Sequence, residues 1–253
     1  MPDHSLGFHL RMVAEFAGAR AAYERALAIG EKAFGPDHPD VATYVNNLGS
    51  VLRALGDLAG ARAAYERALA IDEKAFGPDH RKVAIRVNNL GNVLHDLGDL
   101  AGARAAHERA LAIKEKAFGP DDPEVAAAVN NLGGVLQVLG DLAAARAAFE
   151  RALAIDEKAL GPDHPDVAIA VNNLGGVLQS LGDLGGARAA YERALAINEK
   201  AFGPDHPNVA IHVNNLGGVL QVLGDLAAAR AAFERALAID EKAFGPDHRN
   251  RPA

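Results

Sequence analysis

The 253 residues carry a formal net charge of −7, and no lysine–arginine cluster breaks that balance beyond the pair Arg81-Lys82, so the chain is not expected to bind nucleic acid or an anionic membrane surface. Cysteine is absent, which excludes disulfides, zinc ribbons and thiol catalysis. Hydrophobic residues make up 49% but aromatics only 5%, because alanine and leucine supply most of the apolar content, and that mixture with Glu, Lys and Arg favours helices over strands.

Met1 to Val13 has neither a basic start nor an apolar core of signal-peptide length, and nothing later approaches a membrane span, so the cytoplasm is the expected compartment. A step of 42 residues aligns this opening segment with the next unit of the chain. Leu6-Gly7 falls on Leu48-Gly49, Leu10-Arg11 on Leu52-Arg53 and Glu15-Phe16 on Asp57-Leu58. Residues 1–37 are therefore expected to be a divergent repeat of two helices whose opening helix lacks its first turn.

The first complete unit, 38–79, alternates two helical stripes with two kinds of punctuation. Val41, Val45, Leu48, Leu52 and Leu55 step by four and three, an apolar stripe on a helix. Gly56-Asp57 ends that helix and starts the next, glycine suiting a left-handed residue after the helix and aspartate an N-cap. Leu58, Ala61, Tyr65, Ala68 and Leu69 form a second stripe on a helix predicted to run to Phe76. Gly77-Pro78-Asp79 closes the unit, proline preventing continuation.

The same unit recurs at 80–121, 122–163, 164–205 and 206–248, ahead of a polar tail at 249–253. Asn-Asn-Leu-Gly begins at Asn46, Asn88, Asn130, Asn172 and Asn214, and residues 130–159 are identical to 214–243, which points to recent internal duplication. One hairpin cannot bury both of its apolar faces, whereas stacked neighbours can, so the expected fold is a single all-α array of six repeats, an α-solenoid of antiparallel helix hairpins. Repeat arrays normally end in polar caps, and neither end here carries an obvious one. That leaves two readings, a fragment of a larger multidomain signalling protein or a self-assembling scaffold that associates head to tail.

The spacing Leu48-Gly49, then Ala61, Tyr65 and Ala68, resembles the tetratricopeptide repeat. Val45 stands where the family prefers Trp and Leu52 where it prefers Tyr, and the 42-residue period exceeds the common 34. That period, with the run ALAIDEKAFGPDHPDVA before VNNLG, resembles the kinesin light chain variety of the repeat and its many bacterial relatives. The resemblance implies a right-handed superhelix whose concave side, lined by the first helix of each repeat, binds protein segments.

By register the concave face takes the asparagine ladder Asn46, Asn88, Asn130, Asn172 and Asn214, and with it the second asparagines, Asn131, Asn173 and Asn215 among them. Their amides carry donors and acceptors suited to the backbone of an extended peptide; alternatively they bond to one another or to neighbouring helix ends. Flanking rows differ between repeats and are where selectivity is expected: Gln137, Gln179 and Gln221 follow Arg53 and His95, while Ile169 and Ile211 follow Thr43, Ile85 and Ala127. Gly134, Gly176 and Gly218 are expected to face the groove and leave room for a partner's backbone. The expected partner is a protein or peptide segment, held extended or as a helix.

Catalytic signatures are missing. There is no Gly-Lys for a phosphate loop, no Gly-x-Ser-x-Gly elbow and no i,i+4 histidine pair, so no enzyme activity, metal or cofactor is expected. The histidines of the Gly-Pro-Asp-His loops are expected at helix starts. Glu66, Asp72 and Glu73, alternating with Arg67 and Lys74, are expected on a solvated face with i,i+4 pairing.

Overall fold

A computed structural model describes the backbone of residues 4–245, with side chains from residue 18 onward. The tail at 249–253 lies outside the described residues. Eleven α-helices and no strands fill the described residues. The first, α1, spans His4–Phe34. Shorter first helices then alternate with longer second helices: α2 Pro39–Ala54 and α3 Leu58–Phe76, α4 Arg81–Asp96 and α5 Leu100–Phe118, α6 Pro123–Val138 and α7 Leu142–Leu160, α8 Pro165–Ser180 and α9 Leu184–Phe202, α10 Pro207–Val222 and α11 Leu226–Phe244.

Contacts divide the chain into two compact units, the first over residues 6–135 and the second from Leu136 onward, with the division inside α6. In the first unit α2 packs on α3, α3 on α4 and α4 on α5. In the second, α7 packs on α8, α9 on both α8 and α10, and α10 on α11. Each unit is thus a stack of antiparallel hairpins.

The punctuation acts as its chemistry dictates. Gly56 takes φ +80°, and two successive N–H groups close the helix end, Gly56 N donating to Arg53 O and Asp57 N to Leu52 O. Asp57 then caps α3, its side chain accepting from Gly60 N. The histidines cap the first helices: His38, His80, His164 and His206 accept through Nδ1 from the amide two residues on, and Asp122 serves α6 in the same way. His80 also stacks on Phe76, with ring centroids 4.6 Å apart. His248 lies outside the described residues.

The apolar stripes meet as their spacing requires. Val41, Ala42, Val45, Ala68 and Ile71 form one cluster between α2 and α3, with Leu27 of α1 against it. Each such valine, fully withdrawn from water, stabilises the fold by about 1.5–3 kcal/mol.

At the start of the chain the structure departs from the alignment. The 42-residue step expects a turn at Ala14-Glu15, yet α1 runs through it as one helix. Alanine stands there in place of the left-handed glycine and glutamate in place of the capping aspartate, so neither signal that breaks the later units is present.

Candidate functional site

In each unit the face of its own first helices is the candidate site. α4 presents Ile85 49% exposed, α8 presents Ile169 at 53% and α10 presents Ile211 at 55%, with Val138 and Val222 similarly open near the other end of α6 and α10. Among these lie the amides. Gln137 and Gln179 are half-buried and Gln221 is exposed. Gln137 Nε2 donates to Ser180 Oγ at 3.5 Å, and Gln179 Oε1 accepts from the Tyr191 hydroxyl at 3.4 Å.

The asparagines are bonded to each other. Asn89 Nδ2 donates to Asn46 Oδ1, Asn131 Nδ2 to Asn88 Oδ1 and Asn215 Nδ2 to Asn172 Oδ1, each at 2.9 Å. The second asparagine of one repeat therefore clamps the first of the repeat before it. Asn46 is only 7% exposed, Asn88, Asn130, Asn172 and Asn173 are half-buried, and Asn214 is exposed. The mutual bonds that the amide chemistry allowed as an alternative are thus present, and a partner would meet only the amide capacity they leave over.

The two glycines of each Gly-Gly pair have different surroundings. A Cβ on Gly175 would lie 2.8 Å from the Tyr191 ring, and one on Gly217 2.9 Å from the Phe233 ring, so these positions let a second helix approach. A Cβ on Gly134 or Gly218 would meet nothing within 4 Å, which leaves open space on the candidate face; at Gly176 it would meet Gln137 and the Tyr191 hydroxyl at 3.5 and 3.6 Å.

Charge is distributed unevenly. In the first unit Arg53 Nε bonds Asp96 Oδ2 at 2.5 Å across adjacent first helices, which holds the Asp96 carboxyl below its usual range. A cleft of about 410 Å³ lies beside this face, lined by Arg81, Lys82, Ile85, Lys114, Phe118 and Glu124. Here the pair Arg81-Lys82 replaces the Pro-Asp, Pro-Glu or Pro-Asn that starts the other first helices. Lys114 Nζ is held by Glu124 Oε2 at 2.8 Å.

Three features escape a reading of the sequence alone. Asp72, expected on a solvated face, is fully buried and accepts from Arg86 Nε at 2.8 Å. Arg67, expected in an i,i+4 pair, instead reaches back one repeat to Glu31, and Lys74 to Asp37 at 2.5 Å. The i,i+4 pairs are Arg62–Glu66 and its repeats. No group of three or more metal-ligating His, Cys, Asp or Glu occurs among the described residues. No helix among them is long and apolar enough to cross a membrane.

The sequence profile of the tetratricopeptide repeat family matches residues 2–74, 40–116, 83–137, 124–200, 166–242 and 209–252. Solved structures give similar folds. BtubC (BKLC) from P. vanneervenii is 23% identical with a TM-score of 0.73, the match covering 96% of this chain and 95% of that one. A putative kinesin light chain with nearly identical TPR-like repeats, from Podosopora anserina, is 23% identical with a TM-score of 0.69 over 82% of this chain and 98% of that one. MamA is 24% identical with a TM-score of 0.52 over 78% and 96%. None of the curated proteins compared matches the sequence.

Proposed function

We propose, on the premise that this chain belongs to the tetratricopeptide repeat family, that it holds an extended or helical segment of a partner protein along the face of its first helices. Proteins of this family generally mediate protein–protein interaction or scaffolding, and no catalytic family is indicated. The observation that carries the reading is the row of large apolar side chains left open on one face, Val138, Ile169, Ile211 and Val222 in the second unit, between 53% and 61% exposed. Such residues on a helix face otherwise rich in amides give a partner apolar area to bury and polar groups to fix its position. Affinity comes from burial against these side chains; Gln137, Gln179, Gln221 and the remaining capacity of the asparagines set register. Gly134 and Gly218 let a backbone come close.

Selection of a random-peptide display library on the purified chain tests the proposal. Enrichment of peptides sharing a motif supports it. Absence of any enrichment contradicts it and turns attention to self-association, which light scattering reads as a rise in mass with concentration.

A further inference from the structure

The apolar contacts between successive hairpins are almost the same at every junction. Leu69 of α3 packs against the cluster that holds Val83, Ala84 and Val87 of α4, and Leu27, Leu153 and Leu195 pack in the same way against the buried Val-Ala-Val set of the first helix that follows each of them. Surfaces this similar cannot distinguish one neighbour from another. A chain in which residues 130–159 equal 214–243 therefore needs some other means of stacking each hairpin on its proper neighbour.

One position on each side of the junction, buried or half-buried, breaks the uniformity. It lies on the second helix, and its counterpart is fourteen residues later, on the following first helix. At α1 and α2 the pair is Gly30 and Tyr44, and a Cβ on the glycine would stand 2.8 Å from the tyrosine ring. At α3 and α4 it is the ion pair of Asp72 with Arg86, whose Nη2 also donates to Thr43 Oγ1 at 3.3 Å. At α5 and α6 Lys114 faces Ala128 in register and takes Glu124 instead, through both its carboxylate and its backbone oxygen. At α7 and α8 the positions hold Asp156 and Ala170. At α9 and α10 Asn198 Nδ2 meets His212 Nε2 at 2.7 Å, and His212 Nδ1 meets Asn172 Oδ1 at 3.0 Å. Five junctions carry five different chemistries.

We infer that these pairs are the recognition code of the array: they fix which hairpin stacks on which, in folding and against exchange of hairpins between two copies of the chain. Most exchanges are rejected on simple grounds. Tyr44 fits only where its counterpart is glycine. Arg86 set against Lys114 would bury two cations together. Ala128 or Ala170 set against Asp72 would leave a fully buried carboxylate with no cation. The exchanges that the code accepts include Arg86 against Asp156 and Lys114 against Ala170, where Asp166 holds the place of Glu124. Buried polar residues that select register at some cost in stability are the best-attested use of such groups.

The full chain with all junctions made alike tests this: Gly30, Tyr44, Asp72, Arg86, Lys114, Asp156, Asn198 and His212 each changed to Ala. Refolding from urea at several concentrations is followed by size exclusion with light scattering. The expected result is retained helicity with loss of most of the native monomer to exchanged oligomers, increasing with concentration. A second comparison stays close to the natural chain. Asp72→Arg alone loses native monomer, and Asp72→Arg with Arg86→Asp, a matched pair reversed, recovers it. A uniform chain that refolds to as much monomer as the natural one overturns the inference. If the uniform chain fails to fold, equal monomer recovery for the single and the reversed pair overturns it.

Discussion

Asn89 donates its side-chain amide to Asn46 Oδ1 at 2.9 Å, tying α4 to α2 through the same residue type that lines the candidate binding face. The ladder therefore has a structural duty before any partner arrives. Asn46→Ala removes the acceptor at a position 7% exposed and should cost about 1–3 kcal/mol, read as a lower urea midpoint. Asn214→Ala, at the exposed end of the ladder, should stay within about 0.5 kcal/mol of the natural chain. Equal losses at the two positions would contradict this division.

The glycines should separate by their surroundings. At Gly91 a Cβ would stand 2.8–2.9 Å from the His107 ring, so Gly91→Ala should destabilise by about 1–3 kcal/mol through overpacking. At Gly134 a Cβ meets nothing, and Gly134→Ala should stabilise by about 0.5–1 kcal/mol, as alanine does in any helix interior. Thermal melts of the two variants should shift in opposite directions.

Removing Arg86 alone leaves Asp72 buried without its cation, and Arg86→Ala should cost about 3–5 kcal/mol. The double variant Asp72→Ala with Arg86→Ala should cost less than Arg86→Ala alone, because no orphaned charge remains. Denaturation of the two single variants and the double closes the cycle; simple additivity would show the pair to be uncoupled.

His107, buried, and Asp156, half-buried, give the chain opposing responses to acid. Burial lowers the His107 pKa to about 4 from 6.5, so between those values the unfolded chain binds more protons, and stability falls as pH drops through that window. Burial, with the nearby Asp166 charge, raises the Asp156 pKa to about 6 from 3.8, so there the folded chain binds more protons, and the penalty of the buried charge is relieved as pH falls. His107→Phe, the residue at the equivalent Phe149, should flatten the acid loss above pH 4; Asp156→Asn should steepen it. Urea midpoints between pH 4 and 7 give both slopes.

Much of the fold was legible because it rests on local chemistry repeated at a fixed step. Gly56-Asp57 and Gly77-Pro78 set the helix ends where the structure has them, at Ala54, Leu58 and Phe76. Sequence similarity failed at Ala14-Glu15, where alignment carried over a hairpin but the two residues that make its turn were missing. For the candidate site, the periodicity puts Ile169, Ile211 and the glutamines on one face of the first helices; in the structure Ile169, Ile211 and Gln221 are exposed, and Gln137 and Gln179 half-buried. What it could not give is pairing across repeats. Asp72 belongs by its own helix to a charged run, and only the folded stack brings Arg86 to it, fourteen residues along the chain. The one sequence signal for that contact was variation: in units otherwise almost alike, positions 72 and 86 both differ between repeats.

Binding of a partner segment by the open apolar face of the first helices is tested most sharply by repeating the peptide selection on the variant carrying Ile169→Ser, Ile211→Ser and Val222→Ser. These side chains are more than half exposed, so their change leaves the buried clusters and the asparagine ladder in place. The motif enriched on the natural chain should be lost on the variant while helicity and melting temperature hold. The same motif enriched equally on both would contradict binding at this face.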